Sequence, residues 1–336
     1  MINKIKIFLL TALMLGVLLG GDDSRLGTTA GAQVNIPVGA RNLAMAGSDL
    51  VFTSGIDGVY WNPAALASIA GASATFSNMS YIADINVSHF AVGMSMGELG
   101  KIGVYVKSLG FGDIPITTYD NIDGTGASYS PTIMTMGLTF GKQFSDRINF
   151  GMTGKLVYES IPRASASAMA FDIGVQYVNF AGIDGLGLAL VLRNMGSDMH
   201  FTGSGLKTEA NKVQFSEFFD REASYDQLPS SYTMASSYKI GESILLGASF
   251  VSNNTSYDEF NFGGEFDFND MLFVRGGLTT GLIGDEDVDK DNLLFGPHFG
   301  VGLKYDLKGV GLKLDYAYRS AEFFDSNHLI TIGFEL

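Results

Sequence analysis

The chain has no cysteine. That excludes a disulfide framework, a thiolate metal site and a lipid-modified cysteine at an export signal. Only four histidines are present, His89, His200, His298 and His328, and no two lie at metal-ligand spacing. Positive charge is scarce: 21 Lys and Arg stand against 35 Asp and Glu. An acidic chain is poorly suited to nucleic acid, whose phosphates need cations. After residue 32 no apolar run approaches the 18 residues of a membrane helix. A closed barrel is then the only way left to cross a bilayer, because lipid leaves no backbone group unpaired.

What the chain does have is glycine (43 residues), 12% aromatic residues and a positive mean hydropathy of +0.20. Residues 1–32 read as a secretory signal. Lys4 and Lys6 precede the apolar run Ile7 to Leu19, and Ala30-Gly31-Ala32 offers a small-residue cleavage site before Gln33. Cleavage near Gly21 is the alternative.

From Gly71 to Leu336, apolar and polar residues alternate with period two, segment after segment. Val310, Leu312, Leu314, Tyr316 and Tyr318 face away from Gly311, Lys313, Asp315, Ala317 and Arg319. Phe260, Phe262, Phe266 and Phe268 oppose Glu259, Asn261, Glu265 and Asp267. About fourteen such segments can be counted, an even number as outer-membrane barrels have. Connections after even-numbered segments are tight, as at Asn269-Asp270 and Lys308-Gly309. Three after odd-numbered ones are long, 110–130, 196–227 and 281–292. Short turns at one end and long loops at the other are the mark of an outer-membrane barrel, with the short end periplasmic.

The expected fold class is therefore all-β, a transmembrane antiparallel β-barrel with a short N-terminal plug-like segment over 33–70. The second face is rich in small residues, with Lys107, Lys155, Asp172, Arg193, Glu265, Arg275, Lys304 and Asp315 expected as lumen charges. Tyr158, Tyr177, Tyr238, Tyr305 and Tyr318 are expected as an interfacial girdle. The C-terminal Ile330, Ile332, Phe334 and Leu336 share one face, as in a closing strand that directs insertion.

Val38 to Ser68 does not alternate. In it Asn62 is placed to cap a helical turn and Pro63 suits the first turn position, with Tyr60 and Trp61 as anchors. VGAR, AMAG and DGVYWNPAALA here resemble the N-terminal signature of the PorV/PorQ family of FadL-like outer-membrane proteins. The matching positions are Gly39, Ala40, Arg41, Met45, Gly47, Asp57, Tyr60, Trp61, Asn62, Pro63, Ala64 and Leu66. Asp57 stands alone where an acidic pair is usual, and Ala65 replaces a glycine.

The resemblance implies a non-enzymatic role in type IX protein secretion and cargo attachment, with secretion-machinery and cargo proteins as partners. The alternative, from the wider FadL-like group, is a channel for hydrophobic small molecules. Outer-membrane lipid is a partner in both. No cofactor is expected.

Gly93-Met94-Ser95-Met96-Gly97 matches a hydrolase elbow, but a strand and tight turn surround it where strand–turn–helix is needed. Asp285, Asp287, Asp289 and Asp291 alternate in one loop as a weak Ca²⁺ candidate, lacking the glycine and glutamate of an EF-hand. Leu206 to Ala223, with Phe215, Phe218 and Phe219, reads as an amphipathic helix or a folded loop offering a partner or ligand surface.

Overall fold

The computed structural model describes residues 27–212, 215–281 and 294–336. Most of the expected signal, and the four aspartates 285–291, lie outside the described residues.

Fourteen strands close into one antiparallel barrel. They are β1 (Ala72–Ser80), β2 (Asn86–Ser95), β3 (Lys101–Gly110), β6 (Thr132–Ser145), β7 (Ile148–Ile161), β8 (Ala164–Val178), β9 (Leu186–Gly196), β12 (Ser231–Ile240), β13 (Ile244–Asn253), β14 (Glu259–Phe268), β15 (Leu272–Gly281), β16 (Phe295–Leu307), β17 (Val310–Ala321) and β18 (Asn327–Glu335). Two hairpins stand on the long connections: β4 (Ile114–Pro115) with β5 (Ser128–Tyr129), and β10 (Lys207–Lys212) with β11 (Phe215–Asp220). All connections alternate between neighbours, and β1 pairs β18 to close the ring. The number of barrel strands is the one counted from the sequence. No described helix is long and apolar enough to span a membrane.

Register explains the two faces. Phe76, Phe90, Val106, Met136, Leu156 and Met169 sit side by side across six strands, and all are exposed. One residue further, Ser77, His89, Lys107, Thr135, Val157 and Ala168 form the next row, and all are buried. The period-two pattern thus puts the large apolar groups outside and the small and polar ones in the lumen.

The lumen is not empty. Residues 27–70 fill it with three short helical pieces: a 3₁₀ turn Ala32–Asn35, helix α1 (Ala40–Ala44) and a 3₁₀ turn Pro63–Ser68. Inward glycines make room for it. A Cβ on Gly151 would fall on the Pro63 carbonyl, and one on Gly277 would fall 2.6 Å from the Met45 carbonyl carbon. Glycine in these strands therefore serves close approach of the plug backbone.

Three expectations need correction. Lys304 is exposed at the short-turn rim, because β16 outruns the lumen there. Tyr238 is buried against Leu186 and Ala248, with Phe180 and Ile183 beside it, and is no girdle residue. Of the two readings of Leu206 to Ala223, an amphipathic helix or a folded loop, the helix is not formed: the segment folds as a β-hairpin. The spacing of Phe215, Phe218 and Phe219 mimics a helical face, but their strand pairs with Lys207–Lys212.

Candidate functional site

The plug is shaped by its own side chains. Gly39, at φ 83°, turns the chain into α1, and the Ala40 N–H donates to Thr331 Oγ1 on β18 at 2.9 Å. Asn42 Nδ2 donates to Asp49 Oδ1 (2.9 Å) and Thr53 Oγ1 (2.8 Å), folding 42–53 back on itself. Asn62 caps the following turn: its Oδ1 accepts from the Ala64 N–H at 3.0 Å, and its Nδ2 donates to the Leu50 carbonyl at 3.0 Å. Pro63 occupies the first turn position. Trp61 Nε1 donates to the Val38 carbonyl at 2.7 Å, and the Tyr60 hydroxyl to the Val34 carbonyl at 3.2 Å. The two rings meet edge to face, 5.4 Å apart. Asp57 lies beside Lys313 and Glu335 in a small recess.

Charges tie this plug to the wall. Arg41 bridges Asp49 in the plug (3.0 Å) and Glu265 on β14 (3.1 Å). Glu265 also meets Arg275 on β15 (2.6 Å), which meets Asp315 on β17 (2.5 Å). Burial pushes the Asp49 carboxyl above the usual range, and Arg41 draws it partly back. Lys155 pairs with Asp172 at 2.7 Å on the opposite side. Of the expected lumen charges, Glu265, Arg275 and Asp315 are thus joined in one chain of ion pairs.

Other wall residues hold plug carbonyls, and the sequence had not singled them out for this. Gln176 Nε2 donates to Leu50 (3.0 Å) and Thr53 (2.8 Å). Lys107 Nζ donates to Val34 (3.3 Å) and Ile36 (2.8 Å). The available signal was a long polar side chain among small ones on an inward face.

Between plug and wall, at the long-loop end, lies a cavity of about 390 Å³. Tyr60, Trp61, Leu43 and Leu50 line it from the plug; Val251, Phe295, Arg193, Glu259, His298 and Arg319 line it from the wall. The Arg319 guanidinium sits 3.4 Å from the Phe295 ring centre and donates to Asn327 Oδ1. A smaller recess of about 200 Å³, lined by Arg41, Phe52, Glu242, Glu265 and Asp267, opens at the short-turn end. Plug residues 39–53 separate the two. The wall is incomplete beside the outer cavity: β15–β16 pairing stops at Gly277 and His298, although β15 runs on to Gly281. A bulge between Phe295 and His298 disturbs the β16–β17 register there.

The remaining candidates are not brought together. Ser95 ends a strand before a tight turn and accepts from Lys101 Nζ at 3.1 Å, with no histidine or carboxylate in a relay. His200 stacks on Tyr225, and His328 bonds the Tyr316 hydroxyl. Among the described residues no group of three metal-binding side chains occurs. Phe215, Phe218 and Phe219 lie on β11, remote from the plug in sequence and on the long-loop side; Phe219 is exposed.

Solved structures share this architecture. The toluene transporter TbuX of Ralstonia pickettii superposes with a TM-score of 0.58 at 11% identity, covering 90% of this chain and 99% of that one. The likeness is one of fold, a closed antiparallel barrel. The toluene transporter TodX of Pseudomonas putida gives 0.55 at 12% identity, covering 88% and 96%. The monoaromatic hydrocarbon channel CymD gives 0.50 at 10% identity, covering 89% and 96%. No family model and no curated protein matches the sequence.

Proposed function

We propose that this FadL-like barrel is a non-enzymatic outer-membrane channel that admits hydrophobic small molecules from the long-loop side. The observation that carries the reading is the aromatic-lined cavity of about 390 Å³ above the plug. Its size and mixed lining are those of a small-molecule site. The likeness to barrels described as toluene and monoaromatic hydrocarbon transporters supports it. In this reading residues 1–32 direct export, 33–70 form the plug and 71–336 form the membrane wall. The stretch of β15 left without partners on its β16 side is a route for an apolar solute, since the neighbouring outward residues Leu278 and Phe299 are exposed.

The secretion role implied by the PorV/PorQ resemblance draws no support from these neighbours, and the channel displaces it as the leading reading. The partner or ligand surface on Phe215, Phe218 and Phe219 stands as part of the proposal, at the outer end of the same channel.

The test is uptake of labelled toluene by cells with and without the protein, and by vesicles holding the purified barrel. Faster uptake that depends on the protein in both settings is expected. Equal rates with and without it overturn the proposal.

A further inference from the structure

His298 lies on β16 and is 4% exposed. Its Nδ1 is 2.6 Å from the Leu43 carbonyl oxygen of the plug. A carbonyl only accepts, so Nδ1 carries the proton in that bond. The neutral ring then presents Nε2 as a bare acceptor. That nitrogen is buried and has no hydrogen-bond partner, and the residue lines the outer cavity. Across the same cavity Arg193 presents a buried Nε–H that also lacks a hydrogen-bond partner. A buried polar atom left unpaired costs about 1–3 kcal/mol, so such atoms in a cavity wall mark where a ligand's polar atom belongs.

A plain hydrocarbon leaves both atoms unpaired. A carboxylate offers no proton to His298 Nε2. A hydroxyl on a compact apolar body answers the acceptor and leaves the aromatic lining of Tyr60, Trp61 and Phe295 for the rest of the molecule. We propose that the outer cavity selects compact hydrophobic molecules bearing a hydroxyl group, phenols or aromatic alcohols, with the ligand O–H donating to His298 Nε2. Arg193 Nε–H remains available for a second oxygen. The inference rests on the channel reading and deepens it: His298 becomes the residue that separates an alcohol from the hydrocarbon of the same shape. Discrimination of this kind exceeds what an apolar wall achieves, because the wrong ligand strands a buried polar atom.

Trp61 is the single tryptophan of the chain and lines the cavity, so its emission reports occupancy. The purified barrel in detergent is titrated with toluene, benzyl alcohol and benzoate, each corrected for partition into the micelle. Benzyl alcohol is expected to bind about tenfold more tightly than toluene, a difference of about 1.4 kcal/mol, and more tightly than benzoate. His298→Phe is expected to abolish the preference for the alcohol over toluene. Toluene binding as tightly as the alcohol in the unaltered protein means that only water fills the Nε2 position, and overturns the proposal. Tighter binding of benzoate means that Arg193 and Arg319 set the preference, and overturns the proposal. Because the comparison among ligands is made on the unaltered protein, failure of the variant to fold does not blunt it. If none of the three alters Trp61, the channel reading itself fails; if toluene binds without discrimination, only the hydroxyl preference does.

Discussion

The Arg41 guanidinium grips the Glu265 carboxylate at two points, Nε to Oε2 at 3.1 Å and Nη2 to Oε1 at 3.2 Å. One partner is in the plug and the other in the wall, 224 residues apart in the chain. Removing one member of a largely buried pair strands the other and costs about 3 kcal/mol. Arg41→Gln leaves Asp49 and Glu265 facing each other without their cation. The expected outcome is a barrel that folds but releases its plug, read as faster protease cleavage within 33–70 and higher single-channel conductance. Glu265→Gln is milder, since Arg275 keeps Asp315.

Plug seating depends on bare backbone at Gly174. A Cβ there would fall on Asn62 Oδ1 and lie 2.9 Å from Pro63 Cδ. Gly174→Val is expected to expel the 62–68 turn while the barrel still resists unfolding in cold detergent. Gly154→Ala is the control, as its Cβ would meet nothing closer than Phe171 at 3.8 Å. Protease mapping of the two variants should separate them.

The Asn62 cap gives a graded version of the same test. Asn62→Ala removes the bond accepted from the Ala64 N–H and the one donated to Leu50, a loss of about 1–2 kcal/mol. A shifted Trp61 emission maximum in the folded barrel is the expected signal, since Trp61 precedes the cap.

Alkaline pH should loosen the plug through Tyr60. Burial raises its phenol from 10.0 to about 12, because the charged form is disfavoured in the lumen. The folded state therefore holds the proton more tightly than the unfolded one. Stability from this group is complete below pH 10.0 and is lost as pH rises to about 12. Trp61 emission followed across that window should show a transition that Tyr60→Phe weakens.

Hairpin β10–β11 is separable from the wall. The Arg221 N–H donates to the Leu206 carbonyl at 3.0 Å, so a short Gly-Ser link can replace Lys207–Asp220. The shortened protein is expected to fold and keep its plug. A several-fold loss of solute uptake would place Phe215, Phe218 and Phe219 on the path; unchanged uptake would remove them from it.

Local alternation determined the wall. Each residue of a strand needs only its neighbours two places away to choose a face, and fourteen such segments with turns at alternate ends leave few other folds. The cap at Asn62-Pro63 was legible for the same reason, since it is a bond between residues two apart. The helix-like spacing of three phenylalanines misled because pairing partners lie outside any local window. Which inward side chains meet the plug was closed to the sequence alone. Arg41 with Glu265, Gln176 with Leu50 and His298 with Leu43 join residues more than 120 positions apart. Only closure of the barrel around its own leading segment brings them together, and that closure also left His298 Nε2 buried without a hydrogen-bond partner.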